Sequence, residues 1–172
     1  DNGSSDNCTL SLSLDVSSFD CNNLGANAVV LTGTDESGNS ATANVTVTVE
    51  DNLAPVAVAQ DVTVTLDANG AASITTAVID NGSSDNCSDN ANLTLELDRT
   101  AFECADLGDN NVILSITDEE GNVDTATATV TVVDGIDPTA VTQDITVELD
   151  ANGSATITAT DIDLSLIHIS EP

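Results

Sequence analysis

The chain has 172 residues, 40% hydrophobic and 1% aromatic, and its thirty acidic residues face one basic residue, Arg99, for a net charge of −29. A surface of that sign cannot neutralise phosphates, which excludes nucleic acid and anionic lipid as partners. No internal stretch approaches the roughly 20 apolar residues of a membrane helix, so no membrane insertion is expected of this segment.

High charge with few aromatics also marks disordered chains, but here the apolar residues are regularly spaced. Residues 1–8 read DNGSSDNC, and LxLxLD follows at residues 10–15. Phe19, Cys21 and the TDESGN stretch at residues 34–39 come next, before Val45, Val47 and Val49 alternate with Thr46 and Thr48. Alternation of that kind is the signature of a half-buried strand. After a linker at Asp51-Asn52, Val62, Val64 and Leu66 alternate with Thr63 and Thr65, and the turn Asp67-Ala68-Asn69-Gly70 predicts a hairpin loop.

Residues 80–87 then repeat residues 1–8 letter for letter. A four-residue insertion at 88–91 follows, and the match resumes: Leu93, Leu95, Leu97 with Asp98, then Phe102 and Cys104. Val112, Leu114 and Ile116 form the next strand pattern, DEEGN at 118–122 predicts a turn, and Ala126, Ala128, Val130 and Val132 form the last. No segment holds helical periodicity. A third copy starts with APVAVAQDVTVTLDANG, from Ala54, returning as DPTAVTQDITVELDANG from Asp137, and it runs to Ile162-Asp163. The repeat is roughly 80 residues long, and about seven short strands per unit with frequent Gly and Asn turns predict an all-β fold of tandem immunoglobulin-like β-sandwich repeats. The expected division is 1–51, the C-terminal part of one repeat; 52–134, a complete repeat; and 135–163, the N-terminal part of a third.

Residues 164–172, LSLIHISEP, break the pattern where another NGSSDNC is due. Back-translated, they resemble a sequencing-library adapter read in frame, and they are set aside from fold reasoning with the only histidine, His168. A short natural strand is the alternative. The chain also begins within a repeat and without Met, so a longer parent protein is expected.

A unit of this size has a thin core and needs reinforcement. Each copy carries two cysteines, Cys8 with Cys21 and Cys87 with Cys104, bracketing a hairpin expected to turn near Asp98 to Thr100; folding it would pair them, at about 3 kcal/mol per closed loop. Such bridges imply an oxidising, extracellular compartment. Free buried thiols are the alternative, whereas zinc is disfavoured by the lack of a CxxC and of a histidine outside the tail.

Taken together, the Asp/Asn-Pro linker, the xVTVxLDANG strand and turn, the DNxSxDN loop, the F-x-C-x-x-LG segment and the TDxxGNxxTATVTV ending resemble the hyalin-type repeats of long bacterial surface proteins and gliding-motility adhesins. The resemblance covers residues 1–163 and implies a secreted, cell-surface spacer whose immediate partners are neighbouring repeats and whose surface or carbohydrate ligand stays unspecified. Related repeats commonly carry a further cysteine pair where this chain has Ala59 and Ala126, so only the hairpin bridge carries over.

The acidic loops are the candidate site. In a rod of sandwiches the linker Asp51-Asn52, the loop with Asp80 and Asp85, and the hairpin with Asp118 and Glu119 are expected at one pole, an oxygen-rich set suited to Ca²⁺. Turn preference alone also places Asp, Asn and Gly in such loops, and adaptation to high salt would equally explain the acidity. Asp134 and Asp137 with Asp67 would serve the next joint. An enzyme is not expected: the chain outside its tail has no histidine or lysine for acid–base work. The rival reading is a carbohydrate- or ice-binding face built on Thr125, Thr127, Thr129 and Thr131.

Overall fold

The computed structural model describes residues 3–163. The chain is all-β and sandwich-like, and it divides after Asp134 into two compact units. In the first unit, β1 (Leu10–Leu14), β2 (Gly25–Asp35) and β3 (Ser40–Val49) form an antiparallel sheet in that order. Then come β4 (Val62–Thr65), β5 (Ala71–Ser73), the single-turn helix α1 (Thr76–Ile79), β6 (Thr94–Leu97), β7 (Ala101–Glu103), β8 (Gly108–Thr117) and β9 (Val123–Val133). These build a four-stranded sheet ordered β4-β9-β8-β6, with β4 parallel to β9, and a two-stranded sheet β5-β7.

Alternation along β8 and β9 does the packing. Val112, Leu114 and Ile116 from β8 and Ala128, Val130 and Val132 from β9 are buried together with Leu66, Ile74, Ile79, Leu93 and Phe102. Each large aliphatic side chain withdrawn from water contributes about 1.5–3 kcal/mol. The guanidinium of Arg99 lies 4.5 Å from the centre of the Phe102 ring and pairs with Asp106, capping the core's one aromatic residue.

The turn at 118–122 joins β8 to β9 as the alternation predicts: Asp118 Oδ1 accepts from the Asn122 N–H at 2.7 Å, and Gly121 takes a φ of +91°. The turn at 67–70 is a different object from the hairpin expected. Asp67 Oδ1 accepts from the N–H groups of Asn69 (2.8 Å) and Ala71 (3.0 Å), and Gly70 has φ +73°, but β4 and β5 enter different sheets, so the turn is a corner between layers.

The stretch 98–100 likewise crosses between sheets. Asp98 Oδ1 still accepts from the Ile113 N–H of β8 at 2.8 Å, whereas the Thr100 carbonyl already accepts from Ile74 at 2.9 Å, beside β5. β6 and β7 are therefore not a hairpin.

Details of the first sheet return in the second. Asp15 accepts from the Val30 N–H as Asp98 does from Ile113, and the side-chain amide of Asn39 donates to Asp35 as that of Asn122 does to Asp118. Ser11 faces Thr34 as Thr94 faces Thr117. The first sheet lacks, among the described residues, a strand in the place that β4 takes beside β9. Its apolar face is correspondingly open: Val29 is buried, but Leu14 is 50% and Val45 52% exposed.

The second unit keeps the local geometry of residues 52–80 without the ladders. Asp150 Oδ1 accepts from Asn152 and Ser154, the one-turn helix α2 (Ala159–Ile162) matches α1, and Gln143 donates to the Ile162 carbonyl as Gln60 does to that of Ile79. Yet ITVE at 145–148, the counterpart of β4, forms no strand. Turns and the helical turn are local; a strand needs a neighbour. The tail 164–172 lies outside the described residues.

Candidate metal centre

Asp51 sits in the linker after β3, and Asp118 opens the turn after β8. Both are buried, 8% and 5% exposed. With Glu120 they form a group in which one carboxylate oxygen from each residue lies within 4.8 Å of the others. Asparagines tie the three segments together. The Asn122 side-chain amide donates to the Asp51 carbonyl (3.1 Å) and to Asp118 Oδ2 (2.8 Å), and that of Asn86 donates to Asp51 Oδ2 (3.2 Å). Asp51 Oδ1 also accepts from the Leu53 N–H at 3.0 Å, which fixes the start of the linker.

Of the six residues predicted for this site, the structure brings Asp51 and Asp118 together. Glu120 takes the place expected of Glu119, which is exposed and whose backbone N–H donates to Ser88 Oγ at 3.2 Å. In the turn 118–122 Glu120 is the position that faces back to Asp118, a distinction too fine for a reading by loop composition. Asn52 is exposed.

Asp80 caps its own loop, accepting from the Ser83 N–H at 3.0 Å. Burial pushes its pKa up, but bonds from Ser83 and Gly82 outweigh that and hold it below the usual range. Asp85 behaves alike: burial raises it, while the N–H groups of Ser88 and Cys87 on Oδ2 bring it below 3.8. Its Oδ1 is buried with no hydrogen-bond partner among the described residues. Glu120 is shifted the other way, upward, by burial first and then by the charges of Asp118, Asp51 and Glu119.

Ser88, the first residue of the four-residue insertion, is 5% exposed and lies between Asp85 and the 118–122 turn, a role that an insertion in one copy alone did not announce. On the threonine row, Thr131 donates to Asp109 at 2.7 Å and the Thr129 N–H donates to Asp61 at 2.6 Å, so carboxylates engage the half nearer the end of β9. Asp67 caps the corner described above, and Asp134 ends the first unit.

The cysteines correct the expected pairing. Cys21 is bonded to Cys87, with Cα atoms 5.1 Å apart, and Cys8 and Cys104 are exposed free thiols. Because 98–100 carries the chain from one sheet to the other, Cys87 and Cys104 do not close on a hairpin. Cys104 instead sits against the corner, its Sγ 3.8 Å from the Gly70 carbonyl. The bridge thus joins residues on either side of the linker, next to Asn86 and Asp51.

Among the described residues no helix is long and apolar enough to cross a membrane. No family model matches the chain, and no curated protein matches it.

Proposed function

We propose that the chain is a run of tandem immunoglobulin-like sandwich repeats, of the hyalin type, serving as a non-catalytic stalk in a secreted, adhesin-like surface protein, and that Ca²⁺ stiffens the joint at Asp51, Asp118 and Glu120. The observation that carries the cation is the burial of two carboxylates beside a third. The chain's one Lys or Arg, Arg99, is engaged by Asp106, so it does not neutralise the cluster. Buried like charges are costly unless a counter-charge joins them. The three carboxylates, with the Asp51 carbonyl held beside them by the Asn122 amide, offer the oxygen ligands that a hard cation takes.

The stalk reading is supported by the returning registers of the first and second sheets and by the bridge across the linker. A disulfide accords with a compartment outside the cytoplasm. Neighbouring repeats are the partners this reading names first, ahead of any surface or carbohydrate ligand.

Melting and small-angle scattering of the full chain in calcium, magnesium or chelator at matched ionic strength test the proposal. Calcium at about 100 times its Kd adds about 2.7 kcal/mol to the folded state and lengthens the particle. D118N with E120Q abolishes both responses. If magnesium or plain salt matches calcium, general screening replaces the site.

A further inference from the structure

Two links cross the same joint. One is covalent: Cys21, in the helical turn Cys21–Asn23 that leads into β2, is bonded to Cys87 at the end of the loop 80–87. The other is the carboxylate cluster, in which Asp51 comes from the stretch after β3 while Asp118 and Glu120 come from the turn between β8 and β9. The strands β1 to β3 and Asp51 therefore belong to one side of both links, and the loop 80–88 with the 118–122 turn to the other.

Asn86 connects the two links. Its side-chain amide donates to Asp51 Oδ2 at 3.2 Å and lies 3.2 Å from Cys87 Sγ, and its carbonyl oxygen is 3.4 Å from Cys21 Sγ. On the other flank, Asp85 Oδ2 accepts from the N–H groups of Cys87 (2.8 Å) and Ser88 (2.7 Å), and Ser88 Oγ accepts from the Glu119 N–H at 3.2 Å. The bridge thus reaches the cluster twice: through Asn86 to Asp51, and through Asp85 and Ser88 to the turn that carries Asp118 and Glu120. Both bridged cysteines are partly exposed, within reach of a small thiol.

We propose that the Cys21–Cys87 bridge, acting through Asn86, sets the cation affinity of the joint, and that calcium in return holds the bridge oxidised. The inference rests on the calcium reading of Asp51, Asp118 and Glu120 and adds its regulation. The cause is shared closure: whichever link forms first brings the two sides together, so the second forms with less loss of chain freedom. Such coupling is reciprocal. The factor by which the bridge tightens calcium is the factor by which calcium favours the disulfide over two thiols, and couplings of this kind typically run from about 5- to 150-fold.

Opening the bridge is a thiol–disulfide exchange with a dithiol. Its first thiolate attacks one sulfur, its second thiol displaces that mixed disulfide, and two electrons and two protons end on Cys21 and Cys87 while the dithiol leaves as a cyclic disulfide. The thiols released are soft ligands that calcium does not take, so the metal responds to geometry alone. The joint is then tight only where an oxidant and calcium are both present, and loose where either is missing.

The full chain carrying C8S and C104S, which leaves Cys21 and Cys87 as its two cysteines, is titrated with calcium chloride by calorimetry, oxidised and after dithiothreitol. The oxidised form is expected to bind at least tenfold more tightly, and saturating calcium should raise the ratio of reduced to oxidised dithiothreitol at half reduction by the same factor. N86A, with its bridge intact, should bind calcium at least fivefold more weakly. Dissociation constants within twofold in the two redox states, or a half-reduction ratio that calcium does not move, would overturn the proposal and leave the calcium reading standing. Absence of calcium binding in either state overturns both. Where circular dichroism shows that the reduced chain has lost its β-sheet spectrum, oxidised N86A decides: an affinity within twofold of its parent overturns the proposal, and the fivefold loss supports it.

Discussion

Leu66 and Leu149 occupy the same place in nearly the same sequence, VTVTLDANG against ITVELDANG, yet one is 3% and the other 67% exposed. Leu66→Ala removes three carbons from a site packed among the buried residues of β8, β9 and the corner, and it should cost about 3 kcal/mol, the middle of the range for buried leucine truncation. Leu149→Ala removes the same atoms from a surface already in water and should cost under about 0.5 kcal/mol. With an m-value of about 1.5 kcal/mol/M, the first change lowers the urea midpoint by about 2 M and the second barely moves it. The comparison is best made by far-ultraviolet circular dichroism at low micromolar concentration. Equal costs at the two positions would refute the argument that burial of this strand depends on a sheet beside it.

Replacing Cys21 and Cys87 together by Ser should lower stability by about 4 kcal/mol in the chain-entropy model, because the closed loop spans a sequence separation of 66 residues; denaturant titration with and without reductant measures it, and a non-reduced digest showing Cys8–Cys21 instead would contradict the pairing. In chelator, the stability of the wild type relative to E120Q should fall as pH rises above about 4.5, since the raised native pKa of Glu120 keeps a proton on the folded state after the unfolded state has lost its own; adding calcium should reverse the ranking of the two proteins. Gly70→Ala should be more damaging than Gly121→Ala although both have positive φ, because a Cβ at Gly70 would lie 2.6 Å from Cys104 Sγ whereas at Gly121 it meets nothing within 4 Å; thermal melts of the two variants decide it.

Strand positions were legible in the sequence because alternation of Val and Leu with Thr is itself the cause of the half-buried pleat. So was the tight turn at 118–122, where Asp, Asn and Gly act within five residues. Layer membership was not legible. The turn at 67–70 and the stretch 98–100 look like hairpin loops, and whether the following strand pairs with its predecessor or crosses to another sheet is decided by distant partners, β9 for β4 and β5 for β7. The cysteine pairing failed for the same reason, since it assumed that 98–100 turns back within one sheet. At the candidate centre, topology brought Asp51 to Asp118 as expected, while the choice of Glu120 over Glu119 depended on the direction of one side chain in a turn.

The Cys21–Cys87 bridge also determines how a pulled chain would yield. Tension applied along the backbone reaches Cys21, passes through the sulfur atoms and leaves at Cys87, so β2, β3, β4, β5 and α1 hang in a closed loop off the line of force. At about 3.5 Å per extended residue, a loop with a sequence separation of 66 residues withholds about 230 Å of contour that a reduced chain would release. Oxidised, the tether would be short and nearly inextensible across the joint; reduced, the same tether would lengthen under load.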